Sequence, residues 1–178
     1  DRLRRAERAT TQARLLLDLR SASPFLPEIW RDFPMLMSAF DLEIEAAARP
    51  WWAAFQMVRT RERFFHWEIE FPEVFFERTG ESEQKIEKKK NPGFDCVIGN
   101  PPYGMAIEKD VIRQFYPASS QNLDFYSVFM EHGFSLLKST GCFSFIVPVS
   151  WQTGVSYEAL RRDLLWKYII GKLINLPY

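Results

Sequence analysis

Asn100-Pro101-Pro102-Tyr103 is the stretch whose residue types and order can do chemistry. An asparagine side chain offers an amide oxygen as hydrogen-bond acceptor. The peptide carbonyl of Pro101 offers a second. Proline fixes its own φ near about −65° and pushes the residue before it to extended geometry, so two prolines in a row hold both acceptors still. Tyr103 adds a flat aromatic face. Two fixed acceptors beside a stacking ring suit a planar group that bears an NH2. When both N–H bonds are held, the nitrogen lone pair leaves conjugation more readily and attacks an electrophile. That is electrostatic preorganisation combined with positioning.

The elements around this turn must present it to a ligand. Phe94-Asp95-Cys96-Val97-Ile98 is an apolar run closed by Gly99, with Gly104 beyond the motif. Such a run reads as a buried strand that ends in a rigid turn. In an open α/β sheet, ligands bind at the carboxyl ends of the strands. Next comes a helix that Asn122 can cap, with Asp124 in its first turn. Its apolar stripe is Tyr126, Phe129, Met130, Gly133, Phe134 and Leu137, with Lys138 in the last turn and Gly141 after the stop. Cys142 to Val147 reads as another buried strand. Ser156 can cap a helix carrying Leu160, Leu164 and Leu165, and Lys172 to Leu176 reads as a short strand. Strand–helix–strand–helix–strand is a parallel, doubly wound α/β pattern. Val147-Pro148-Val149-Ser150-Trp151 then repeats the first motif's logic, a strand followed by a proline turn at the same sheet edge.

Upstream, residues 1–20 are Arg-rich with helical spacing of Leu3, Ala6, Ala13, Leu16 and Leu17, stopped by Ser21 to Pro24. The arginines read as a solvated face, with phosphate contact as the alternative. Met35 to Arg49 reads as a second helix ended by Pro50, with Pro27 and Pro34 punctuating what precedes it. Trp51 to Phe55 reads as a buried helical segment. Phe64 to Phe71 alternates apolar and polar (Trp67, Ile69, Phe71), which predicts a strand, and Pro72 opens a turn of helix. His66 with Glu68, Glu70 and Glu73 matches no standard ligand spacing, so no metal is expected. Thr79 to Gly93 reads as a charged, solvated loop. Lys88, Lys89 and Lys90 precede the strand, at the end opposite Asn100. Met105 to Ser120 has no clear period and is expected to be a mobile loop over the site.

The chain has 178 residues, 47% hydrophobic and 16% aromatic, enough for a packed core in one domain. Its net charge of zero means that the whole surface is not built to bind a polyanion. A nucleic-acid substrate would need local basic patches or another domain. Cys96 and Cys142 read as buried apolar fillers in a reducing cytoplasm. No apolar stretch approaches a membrane span, and the start lacks the apolar core of a signal peptide.

Gly99-Asn100-Pro101-Pro102-Tyr103 after an apolar strand resembles the catalytic motif of amino-group methyltransferases that use S-adenosylmethionine. The four-residue motif is shared by enzymes acting on adenine N6 in DNA, on RNA and on release-factor glutamine. Phe64 to Phe75 as a whole string resembles the segment before this strand in large restriction–modification methyltransferases, including single-chain type IIG enzymes, and points towards DNA adenine as the substrate, with an RNA base or a protein glutamine, or a non-catalytic remnant, as the alternatives. The resemblance covers about Phe64 to Leu176 and implies a Rossmann-like fold. It makes Asn100, Pro101, Pro102 and Tyr103 catalytic, with Asn100 also near the cofactor. It also implies that double-stranded DNA is the partner and that an adenine is flipped out against Tyr103. A second aromatic would wall the pocket, with Tyr157 near the family's position and Trp151 its competitor. Either residue can instead close the core. The family's glycine-rich cofactor loop has no counterpart here, since Gly80 is the first glycine in the chain. Residues 1–63 are therefore read as a helical segment and 64–178 as the carboxyl-terminal part of a catalytic domain. The upstream half and the target-recognition domain are expected elsewhere in a longer polypeptide. Alone, the chain is expected to be inactive, and unstable or self-associating.

Overall fold

The computed structural model describes residues 2–80, 85–104, 115–119, 121 and 124–175. Contacts group them into two units, Asp1–Phe76 and Glu77–Tyr178. The sequence reading placed the change of character at 63/64, thirteen residues earlier.

The first unit is helical. Helix α1 (Arg2–Ala22) packs against α2 (Pro27–Met37), α3 (Leu42–Ala47) and α4 (Trp52–Glu62). Leu15, Leu19, Ala22, Ile29, Leu36, Leu42, Ala46, Trp51 and Phe55 form its core. The buried face of α1 is thus Leu15, Asp18, Leu19 and Ala22 rather than the expected stripe, and Ala6 and Ala13 are exposed. Pro27 opens α2 at its first turn, where a missing N–H costs nothing. Pro34 stands inside α2 instead of ending it. The single helix expected over Met35 to Arg49 is broken at residues 38–41. The Ser38 hydroxyl takes the Met35 carbonyl at 2.8 Å, and the Asp41 side chain caps α3 by accepting from the Ile44 N–H at 3.3 Å.

The strand expected over Phe64 to Phe71 is instead a coil followed by a turn of helix, α5 (Trp67–Glu70). The Ile69 and Glu70 N–H groups both donate to the His66 carbonyl at 3.0 Å, and Trp67 stacks on Phe71 with ring centroids 5.7 Å apart. An i,i+4 aromatic pair on one helix face outweighs the two-residue alternation. Pro72 opens α6 (Pro72–Phe75), as its position predicts. His66 is held by Asp18 at 2.7 Å, which also accepts from Arg59 Nε at 2.7 Å.

The second unit begins with a small sheet in which β1 (Phe76–Thr79) pairs with β2 (Lys85–Lys88), so that β2 forms a strand within the stretch, Thr79 to Gly93, expected to be loop. Its centre is a parallel pair, β3 (Phe94–Gly99) and β4 (Leu137–Phe145). Cys96 lies opposite Cys142, Val97 opposite Phe143, Ile98 opposite Ser144 and Gly99 opposite Phe145. The register shifts between Phe94 and Cys96. There Gly93, at φ +125°, lets the backbones close to a distance that leaves no room for a side chain, since a Cβ would lie 2.5 Å from the Leu137 carbonyl carbon. Helix α7 (Phe125–Ser135) runs into β4 after one residue, so Leu137 and Lys138 belong to the strand and not to the helix. Lys138 pairs with Asp95 across the two strands.

Helix α7 covers one face of the pair. Phe134 stacks on Phe143 at 4.0 Å, and Phe143 meets Phe145 at 4.2 Å. Phe129, expected in the buried stripe, is exposed. On the other sheet face Cys96, Ile98, Cys142, Ser144 and Ile146 are exposed, so the cysteines are not buried fillers. Parallel strands are ordinarily covered on both faces, and here no described element covers the second. After β4 come a turn of helix, α8 (Ser150–Thr153), a 3-10 turn (Val155–Tyr157) and α9 (Glu158–Lys167). Tyr157, not Ser156, precedes α9, without a side-chain cap. Leu160 and Leu164 are buried and Leu165 is exposed. Residues 172–175, expected to be a strand, are coil with no ladder partner among the described residues, and Leu176 lies outside them. The architecture is mixed α/β with a parallel core, as the sequence pattern predicts.

Candidate active site

The motif turn leaves β3 at its carboxyl end, and the second proline turn leaves β4 at the same edge. Parallel pairing makes this necessary, because Gly99 lies opposite Phe145 and the chain turns one residue later on each side. The Ile146 N–H donates to the Gly99 carbonyl at 3.1 Å and ties the two exits together. Pro101 is buried and anchors the first turn, while Asn100, Pro102 and Tyr103 are exposed. Gly104 ends the turn at φ +70°, a left-handed conformation that favours glycine.

Tyr103 is 45% exposed. Its hydroxyl lies 2.6 Å from Asn100 Oδ1 and 2.8 Å from the Ile146 carbonyl. One phenolic proton serves one of these acceptors at a time. When it turns to Ile146, Asn100 Oδ1 is free for another donor. The amide is exposed and is not sealed from solvent.

Behind Tyr103 stands a row of tyrosines. Tyr126 of α7 meets Tyr103 edge to face, with centroids 6.3 Å apart and planes at 82°. On its other side it stacks on Tyr157 at 5.7 Å and 25°. The Tyr126 hydroxyl bonds Ser150 Oγ at 3.0 Å, and the Tyr157 hydroxyl donates to Asp124 Oδ2. Burial, the largest cause, raises both phenols above the ordinary tyrosine pKa, so both rings stay neutral. Asp124 occupies the N-cap position of α7 without capping by its side chain, which takes Tyr157 instead. The proposed cap Asn122 lies outside the described residues, as does most of the loop expected over the site, residues 105–114 and 120.

Both candidates for the second aromatic wall are buried. Trp151 and Tyr157 are each 7% exposed and belong to one core with Tyr126, Met130, Leu160 and Leu164. Arg161 fixes the second turn from α9 by donating to the carbonyls of Trp151 at 2.8 Å and Gly154 at 2.6 Å. In the sequence Tyr126 reads only as one of a helical stripe, Ser150 only as part of the second turn, and Arg161 carries no signal. A hydroxyl on an otherwise apolar stripe was the available signal. Lys88 ends β2 and Lys89 and Lys90 follow before β3 begins, away from the motif edge. Among the described residues, no group of three or more His, Cys, Asp or Glu could hold a metal ion, and no helix is long and apolar enough to cross a membrane.

The profile described as Eco57I restriction-modification methylase matches residues 9–178. A putative type II restriction enzyme and methyltransferase of Methanocaldococcus jannaschii, RM.MjaORFECS2P, is 36% identical over 117 residues, covering 64% of this chain and 8% of that protein. The adenine-specific methyltransferase BrxX of Escherichia coli is 40% identical over 77 residues, 40% of this chain and 6% of its own length. The type II restriction enzyme and methyltransferase RM.Eco57I of Escherichia coli is 30% identical over 94 residues, 48% of this chain and 9% of its own. The chain thus spans less than a tenth of these relatives' length. No solved structure matches. The family is one of restriction–modification methylases, and its fold is Rossmann-like, as the resemblance implies. With nearly the whole chain matched, the protein belongs to the Eco57I restriction-modification methylase family.

Proposed function

We propose that this chain carries the amine-binding part of an enzyme that methylates the N6 amino group of adenine in double-stranded DNA, with S-adenosylmethionine as methyl donor. Residues 64–178 are its portion of the catalytic domain, and residues 1–63 a helical segment before it. The observation that carries the reading is the Asn100–Tyr103 turn at the carboxyl edge of a parallel pair, with Asn100 and Tyr103 both exposed.

The adenine leaves the duplex at a cost of a few kcal/mol. Stacking on Tyr103 returns about 1–3 kcal/mol. Asn100 Oδ1 and the Pro101 carbonyl accept from the exocyclic amine, and Pro102 fixes the turn that aims them. The Tyr103 proton retires to the Ile146 carbonyl as the amine arrives, so neither acceptor is left unsatisfied. The nitrogen proton leaves after transfer, so no general base with a shifted pKa is required. Tyr157 and Trp151 back the pocket from the core.

The acceptor pair at this edge fits an amine. It does not by itself fit a nucleoside cofactor, because no glycine-rich turn precedes β3 and the first glycine is Gly80. Asn100 is the one residue here expected to lie near the cofactor, which would supply a methyl group on a sulfonium.

The test is Asn100→Ala in the complete polypeptide. By analogy with removing one preorganised hydrogen-bonding group, methylation should fall about 100-fold to 1,000-fold. DNA binding by gel shift should stay within about threefold of wild type. Equal loss of both would overturn the role. An assay offering duplex DNA, RNA and release factor to the wild type decides the acceptor, and methylation of RNA or protein alone would refute the DNA reading.

A further inference from the structure

We infer that Tyr126 is a positioning residue for the flipped base, setting the plane of the Tyr103 ring without touching substrate. The inference rests on the adenine reading above.

A stacking platform must present its ring at one angle. The hydroxyl contacts of Tyr103 to Asn100 and Ile146 fix the tip of the ring better than its plane. The hydroxyl oxygen lies on the axis about which the ring turns, so its position does not change on rotation, and the ring plane is held only through the preference of the O–H for that plane, on a torsion that is intrinsically broad. Something must meet the ring off its axis. Tyr126 does so, edge to face at 6.3 Å and 82°. At this angle the positive edge of one ring meets the negative face of the other.

Tyr126 is itself fixed from three directions. It is 2% exposed, so it cannot reach a substrate. Its second side is stacked on Tyr157, whose hydroxyl is held by Asp124 at the start of the same helix. Its own hydroxyl is bonded to Ser150 in the second turn. Tilting the Tyr126 ring therefore breaks the stack on Tyr157, the bond to Ser150 in the second turn or the contact with Tyr103 of the motif itself. The row Tyr103–Tyr126–Tyr157 carries the rigidity of the core out to the one exposed ring.

Tyr126→Leu removes the edge contact, and Tyr126→Met does so with an unbranched side chain that adapts to the gap should the leucine variant not fold. Tyr126→Phe keeps the ring and loses only the hydroxyl's bonds, to Ser150 and Tyr157. In the complete polypeptide, kcat for adenine methylation in duplex DNA should fall about fivefold for Leu or Met, the range expected for losing one aromatic pair. KM for DNA should stay within about twofold, and Phe should restore kcat to within about twofold of wild type. With 2-aminopurine at the target position, stacking-dependent quenching should weaken in the Leu and Met variants and return with Phe. A Leu or Met variant with wild-type kcat and quenching would overturn the inference. So would a Phe variant as slow as Leu, which would assign the effect to the hydroxyl. Failure of the wild type to methylate adenine in DNA would instead strike the adenine reading itself.

Discussion

The two units of this chain solve the problem of burial differently. Residues 1–76 close a core on themselves, with Leu19, Ile29, Ala46 and Phe55 fully enclosed. Their charged interior group is satisfied, since Asp18, 4% exposed, is held by both Arg59 and His66. Residues 77–178 bury one face of a two-stranded parallel pair and leave the other open, with Ile98 at 76% and Ile146 at 56% exposure. The candidate site belongs to the less covered unit. Its order comes from one sheet edge, where two proline turns, a shared phenolic proton and a row of tyrosines fix each other locally. A functional constellation can thus be ordered where the sheet that carries it is half bare.

The largest effect that sharpens this contrast is Phe55→Ala. Phe55 is fully buried between Trp51 and Trp52, with ring centroids at 6.3 and 5.3 Å. Its truncation should cost about 3–5 kcal/mol, read by denaturant unfolding. A loss below about 1 kcal/mol would show that the helical core is not closed. Asp18→Ala comes next. It strands Arg59 and His66, and because Arg59 is 37% exposed the cost should be about 2 kcal/mol, below that of a fully buried pair. A neutral result would mean that water already satisfies both partners.

What could be read from sequence follows the same division. The motif edge was legible because its determinants are local, two prolines and two glycines around a short apolar run, and parallel pairing then brings the second turn alongside. Trp51 to Phe55 was legible as a buried helical segment for its density of large apolar side chains. The break at residues 38–41 was not, because Ser38 and Asp41 act through single hydrogen bonds to nearby backbone. Trp67, Ile69 and Phe71 satisfy a two-residue period while Trp67 and Phe71 also satisfy a helical one, and only tertiary structure chooses between them. Cys96 and Cys142 were misplaced because burial of a strand depends on what covers each face, which the strand's own residues do not state. Tyr126 was hidden by its regularity, since a residue that fits the stripe gives no hint that its other edge faces a site.

The open sheet face gives a smaller and more specific effect. Ile98→Lys adds a charge where Ile98 already meets water. It should change unfolding free energy by no more than about 0.5 kcal/mol, as for an ordinary surface site. It should also reduce self-association of the chain, measured by sedimentation, because an exposed apolar face on a short parallel pair is an association surface. A loss above about 1 kcal/mol would mean that the face is covered in solution, and the contrast between the units would fail.

The smallest effect is electrostatic. Lys138 holds the Asp95 carboxyl below its ordinary pKa of 3.8, first by hydrogen bond and then by charge. A carboxyl whose folded pKa is depressed adds stability above its unfolded pKa and loses it as pH falls through the folded value. Lys138→Met should therefore be slightly less stable than wild type at pH 7, and the two unfolding curves should converge as the pH drops below about 4. Asp95 lies at the surface, so added salt should shrink the pH 7 difference as well. Curves that stay parallel from pH 7 to pH 2 would show that Lys138 acts through its methylene stem packed at the register shift and not through its charge.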